Sequence, residues 1–173
     1  MTDTDFSFDN NLYICKVTAD KKKCPTYLRS IPAVAQLFDR GIEFKKRITV
    51  FMGENGIGKS TLLEAIAAAY GFNPEGGTRN FSFSTYNSHS ELYGALKLSR
   101  GGYPKDGFFL RAESFYNVAS EIERLDNIPA ASPPIIDGYG GVSLHEQSHG
   151  ESFMALAMNR FRGHGLYILD EPE

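Results

Sequence analysis

The chain has 173 residues, 42% of them hydrophobic, and a formal net charge of −3 at pH 7. That length fits one domain with room for a subdomain, and that hydrophobic content excludes a disordered chain. The small negative charge leaves no global footprint for nucleic acid or an anionic membrane, no apolar run approaches the roughly 20 residues that span a bilayer, and the acidic, polar start MTDTDFSFDNN is not a secretory signal.

Residues 1–10 read as a lead-in, and Leu12 to Val17 alternates in part and reads as a strand. Cys15 and Cys24 lack metal-ligand spacing and read as reduced thiols of a cytoplasmic protein. Lys21-Lys22-Lys23 before Cys24-Pro25 makes a basic turn, either a solvated loop or a phosphate-contacting patch. Ile31, Val34, Ala35, Leu37 and Phe38 have helical spacing, with Ser30 as a candidate N-cap, Pro32 in the first turn and Gly41 past the end. Ile42 to Phe44 reads as a strand.

The next stretch is the most informative. Ile48, Val50, Phe51 and Met52 form a short apolar run that predicts a buried strand. Gly53-Glu54-Asn55-Gly56-Ile57-Gly58-Lys59-Ser60, followed by Thr61, fits G-x-x-x-x-G-K-[ST]. Leu62, Leu63, Ile66 and Ala67 then recur at helical spacing up to Tyr70, and Gly71 stops the helix. Glycines there let the backbone approach phosphate oxygens, with backbone N–H groups and the positive end of a helix dipole facing the anion. In that reading Lys59 supplies a mobile charge for the β- and γ-phosphates, and the Ser60 hydroxyl is placed to ligate magnesium. A glycine-rich turn before a helix is the bland alternative, and the flanking elements argue against it.

Asn73 to Gly77 is a loop by composition, and Phe81 to Ser84 alternates like a strand. Glu91 to Leu98 reads as a short helix ended by Arg100-Gly101-Gly102. Phe108 to Arg111 reads as a buried strand, and Ser114 to Leu125 as a helix with Phe115, Val118, Ala119 and Ile122 on one face. Ile128 to Gly141, punctuated by Pro129, Pro133 and Pro134, reads as a surface loop. In Ser143 to Ser152, Ser148 and Glu151 have capping-box spacing before an apolar helix pattern of Phe153, Leu156, Ala157 and Phe161. That is a helix start, and its exposed N–H groups also suit an anion. Leu166 to Leu169 reads as a central parallel strand ending in Asp170 and Glu171. An Asp at such an edge can hold magnesium, and the adjacent Glu can activate a water for in-line attack; otherwise the two acids are merely solvated.

Taken in order, GENGIGKST, QSHGES and LYILDEPE resemble the Walker A, signature and Walker B motifs of ABC-class P-loop ATPases. The resemblance spans roughly residues 48–173 and is nearest to small soluble bacterial predicted ATPases akin to SMC and RecF heads. It implies an α/β P-loop NTPase fold, an ABC-ATPase-like head with a mainly parallel core sheet and a smaller inserted lobe over roughly residues 79–162. It implies ATP and Mg2+ as ligands and a homodimer that sandwiches ATP. Gly53 to Thr61 would bind the nucleotide, and Lys59, Ser60 and Thr61 of one head would then face Ser148 and Gly150 of the other, with Glu171 as catalytic base and Ser60 and Asp170 at the metal.

Three departures stand beside the resemblance. Gln147 replaces the family's Leu and His149 a Gly in the signature. The chain's glutamines are Gln36 and Gln147, so Glu113 is the nearest stand-in for a Q-loop Gln. The family's D-loop and switch His would lie beyond Glu173, so the head is expected to be C-terminally truncated. Three roles compete: a soluble ATPase in DNA maintenance or defence, with DNA or a protein as partner; the nucleotide-binding subunit of a transporter, with a membrane permease as partner; and a P-loop small-molecule kinase. The missing Q-loop Gln argues against the second. The SHGES helix start followed by DEPE argues against the third.

Overall fold

Lys16–Ala19 forms β1, the middle strand of a three-stranded antiparallel sheet in the computed structural model, which describes residues 12–79, 90–129, 132–161 and 163–172. The strand expected over Phe81 to Ser84 lies outside the described residues. The chain divides into two compact units, one of residues 1–70 and 90–104, the other of residues 71–89 and 105–173.

In the first unit β1 pairs with β2, Ile42–Glu43, with Val17 opposite Ile42. On its other edge it pairs with β3, Leu96–Ser99, with Val17 opposite Leu98. The strand expected over Leu12 to Val17 therefore sits later. Leu12, Ile14 and Cys15 are still buried, but no ladder partner reaches Leu12 or Ile14. The helix expected over Glu91 to Leu98 is also corrected: a 3-10 turn covers Glu91–Ala95 and the chain then extends into β3. Leu96-Lys97-Leu98-Ser99 alternates half-buried and exposed, the period of a strand laid on β1.

Helix α1, Pro32–Asp39, starts on Ile31 rather than Ser30, whose hydroxyl instead donates to the Tyr27 carbonyl. Proline's fixed φ suits the first helical position, so no side-chain cap is needed. The turn into β2 requires a glycine: Gly41 has φ +69°, and a Cβ there would stand 2.6 Å from the Val17 carbonyl oxygen. Helix α2, Lys59–Tyr70, ends before Gly71 as expected. Cys24, Leu28, Val34, Ala65, Leu92 and Ala95 form this unit's core. Glu64 of α2 is buried and accepts the Ser90 N–H at 2.8 Å, which ties the 3-10 turn to α2. Both cysteines are buried thiols.

The apolar run from Ile48 to Met52 is not a strand. Ile48, Val50 and Met52 are 83%, 72% and 88% exposed, and no described strand pairs with them. β-Branched residues favour a sheet only where a neighbour supplies the ladder and the cover, and among the described residues none supplies either to Ile48, Val50 or Met52.

In the second unit β4, Asp106–Arg111, and β5, Gly165–Asp170, run parallel, with Phe109 opposite Ile168 and Arg111 opposite Asp170. Gly77 adds an antiparallel bridge to Phe109. Among the described residues this pair is the parallel part of the structure, so the mainly parallel sheet is not seen and β5 is not central. Helix α3, Phe115–Asp126, buries Phe115, Val118, Ala119 and Ile122 as its spacing requires. They pack with Phe108, Leu110, Tyr139, Leu144 and with Leu156 of α4, His149–Arg160. The stretch expected to be a surface loop folds over Ile135–Tyr139 into a 3-10 turn and buries Tyr139. The Asp126 carboxylate fixes that turn by accepting the N–H groups of Ile135 and Ile136 at 2.6 and 2.9 Å.

Candidate phosphate loop and catalytic carboxylates

The loop Gly53 to Gly58 is irregular and largely exposed, and it opens directly into α2. Gly58 has φ +99°, and a Cβ there would lie 2.3 Å from Ile31 Cγ2, so only glycine lets the loop seat against α1. One hydrogen bond braces that seat, Ala33 N–H donating to the Ile57 carbonyl at 3.2 Å, while Leu62 N–H donates to the Gly58 carbonyl at 3.0 Å in the first turn of α2. At Gly56, φ +82°, a Cβ would meet nothing within 4 Å.

Lys59 reaches back over the loop. Its Nζ donates to the Gly53 carbonyl at 2.8 Å and to the Glu54 carbonyl at 3.0 Å. The ammonium therefore sits where the loop's backbone turns. An ammonium has three donors, so one remains for an anion. Ser60 and Thr61 follow in the first turn of α2, half-buried, where helix N–H groups have no intrahelical acceptor. Backbone donors, a dipole end and a tethered cation suit phosphate. A second cationic run, Lys45-Lys46-Arg47, is exposed just upstream. In sequence it is as strong a signal as Lys21 to Lys23, three consecutive cations in each.

The second unit holds the other candidate residues, Ser148, Gly150, Asp170, Glu171 and Glu113. At the C-terminal end of β5, Asp170 is only 5% exposed, while Glu171 is exposed with φ +52°. That left-handed geometry is uncommon for a residue with a Cβ, and it turns the chain sharply out of the strand. Arg111 lies opposite Asp170 in the ladder, and its guanidinium pairs with the Glu113 carboxylate at 3.3 Å. Glu113 stands in a short 3-10 turn after β4, so strand ends bring Arg111, Glu113, Asp170 and Glu171 to one edge. The sequence held no signal for Arg111, because register alone puts it there.

The capping box at α4 is complete. Ser148 Oγ accepts the Glu151 N–H at 3.4 Å, and the Glu151 carboxylate accepts the Ser148 N–H at 2.9 Å and its hydroxyl at 2.7 Å. Those hydrogen bonds, the hydroxyl's first, hold the Glu151 carboxyl below its usual range. The Ser148 hydroxyl proton is therefore engaged by Glu151. Gly150 faces open space, with nothing within 4 Å of a Cβ. A hard cation such as magnesium suits a serine hydroxyl and a carboxylate, keeping waters for its other positions. Among the described residues no helix is long and apolar enough to cross a membrane, and no three His, Cys, Asp or Glu side chains cluster as a metal site.

Residues 29–122 match the model of a family described as an AAA domain. The family match covers the glycine loop and α2 but stops short of Ser148, Gly150, Asp170 and Glu171. Over 65 residues the chain is 40% identical to the DNA double-strand break repair Rad50 ATPase of Aeropyrum pernix. That alignment covers 37% of this chain and 7% of the relative. No solved structure matches.

Proposed function

Because the chain belongs to the AAA domain family and is similar to an ABC/SMC-like P-loop ATPase over part of its length, we propose that it binds ATP with magnesium and hydrolyses it to ADP and phosphate. The observation that supports this most is Lys59, carried on the first residue of α2 and bonded across the glycine loop. Gly53, Glu54, Asn55, Gly56, Ile57 and Gly58 cradle the phosphates, with Lys59, Ser60 and Thr61 at the helix start. Ser60 and Asp170 hold magnesium, and Glu171 orients and deprotonates the attacking water. This chain acts as one head. Two copies close on ATP, so that Ser148 and Gly150 of one meet the phosphate held by the other.

The relative's printed name suggests the setting, a role in DNA maintenance. The exposed runs Lys21 to Lys23 and Lys45 to Arg47 are suited to a phosphate backbone. The chain spans a small part of the relative, so the DNA role is a proposal in its own right. Titration of ATP into the protein with and without magnesium, alongside phosphate release, tests the function. Magnesium-dependent binding with steady phosphate release is expected. Failure to bind ATP in either condition would overturn it.

A further inference from the structure

Helix α3 carries two stripes. Phe115, Val118, Ala119 and Ile122 face the core, while Tyr116, Ser120 and Glu123, spaced i, i+4 and i+7, share another face. All three of the second set meet the turn from Ser143 to Gln147 that leads into α4. The Tyr116 and His145 rings lie 4.3 Å apart between centroids. Ser120 Oγ and His145 Nε2 are 3.1 Å apart, within hydrogen-bond distance. The Glu123 carboxylate accepts the Ser143 hydroxyl.

The turn is also tied within itself. Leu144 is its buried plug, at 5% exposure. The Gln147 amide folds back to the carbonyls of Val142 at 3.1 Å and Ser143 at 3.4 Å. Ser152 Oγ bonds the carbonyls of Leu144 and Ser148 at 3.1 and 3.0 Å. Among the side chains that join the turn to α3, the Ser143–Glu123 contact is exposed, and exposed polar pairs contribute little. His145 is half-buried and combines an aromatic contact with a hydrogen bond.

We propose that His145 is a positioning residue, held by Ser120 and Tyr116 of α3, that fixes the placement of Ser148 for phosphate. This rests on the reading that Ser148 and Gly150 meet the phosphate of a second copy. Its role is geometric: a catalytic donor displaced by about 1 Å can cost on the order of 100-fold in rate. Gln147, next to Ser148, acts with it, its amide folded back onto the Val142 and Ser143 carbonyls.

The test uses the protein's full natural chain and compares His145→Ala, His145→Gln, Ser120→Ala and Gly150→Asp. ATP affinity of the single head, ATP-dependent dimerisation, kcat and thermal midpoint are measured for each. His145→Ala is expected to lower kcat about ten-fold while single-head ATP affinity stays within about two-fold, a split that general unfolding does not produce. Ser120→Ala should act in the same direction, with the double mutant no worse than His145→Ala, because both remove one contact. His145→Gln, whose amide reaches the same hydroxyl, should recover most of the loss. If His145→Ala lowers the midpoint below the assay temperature, Ser120→Ala carries the test, since it removes one oxygen. Wild-type kcat in both, with Gly150→Asp inactive, overturns the inference and leaves the shared site intact. Normal turnover in Gly150→Asp overturns the shared site itself. Equal losses of affinity and kcat overturn the positioning role.

Discussion

The Lys59 ammonium lies 2.8 Å from the Gly53 carbonyl oxygen, so the first residue of α2 closes over the first glycine of the loop. The cation therefore holds the loop, in addition to the ligand role proposed for it. Replacing Lys59 by alanine should weaken magnesium–ATP binding by at least about ten-fold, since hydrogen bonds to a charged group contribute about 1.5–3 kcal/mol. Isothermal titration reads it. Unchanged affinity would move the nucleotide site elsewhere.

Glu171→Gln should separate binding from chemistry. The amide is nearly the same size and Glu171 is exposed, so the fold and ATP affinity should hold. Loss of the base should lower phosphate release by about 100- to 10,000-fold. ATP-bound dimers should then accumulate in the full natural chain, visible by size-exclusion chromatography. Rapid turnover by this mutant would point next to Glu113, which stands at the same edge of the parallel pair.

Gly150→Asp should fold, because nothing stands within 4 Å of the added Cβ. It should also place a negative charge where phosphate docks, so single-head ATP binding survives while dimerisation and hydrolysis fail. Mixed with Lys59→Ala, it should regain part of the activity, because one mixed dimer keeps one intact composite site. Activity measured across mixing ratios checks this. No recovery at any ratio, with both mutants folded, counts against a site shared between copies.

Tyr139 supplies a stability test away from the site. It is 1% exposed, its hydroxyl has no hydrogen-bond partner among the described residues, and burial pushes its pKa from 10.0 up to about 12. A raised folded-state pKa gives stability that is whole below pH 10 and is lost as pH rises toward 12. That alkaline loss should amount to roughly 2–3 kcal/mol. Tyr139→Phe should remove this part of the pH dependence. At neutral pH it should be neutral or stabilising by about 1 kcal/mol, since the phenol oxygen is buried without a partner. Denaturant melts at pH 8 and pH 11.5 compare the two proteins; equal alkaline losses would contradict the assignment.

Local signals were enough for the glycine loop as a turn before a helix, for α2 running from Lys59 to Tyr70, and for the Ser148–Glu151 cap of α4. Each is written within a few residues: glycines where the backbone must turn, a 3.6-residue apolar period, and a serine and a glutamate three apart. The buried face of α3 and the strand ending at Asp170 were legible for the same reason. What tertiary structure decided was pairing and burial. Leu96 to Ser99 extends because β1 offers it a ladder, whereas Ile48 to Met52, richer in strand formers, has no described partner and stays exposed. Tyr139 is buried because Asp126 caps the turn that carries it, and Arg111 stands beside Asp170 because two distant strands share a register. A hydrogen-bond ladder and a core belong to two or more segments at once, and no window along one segment contains the partner that completes them.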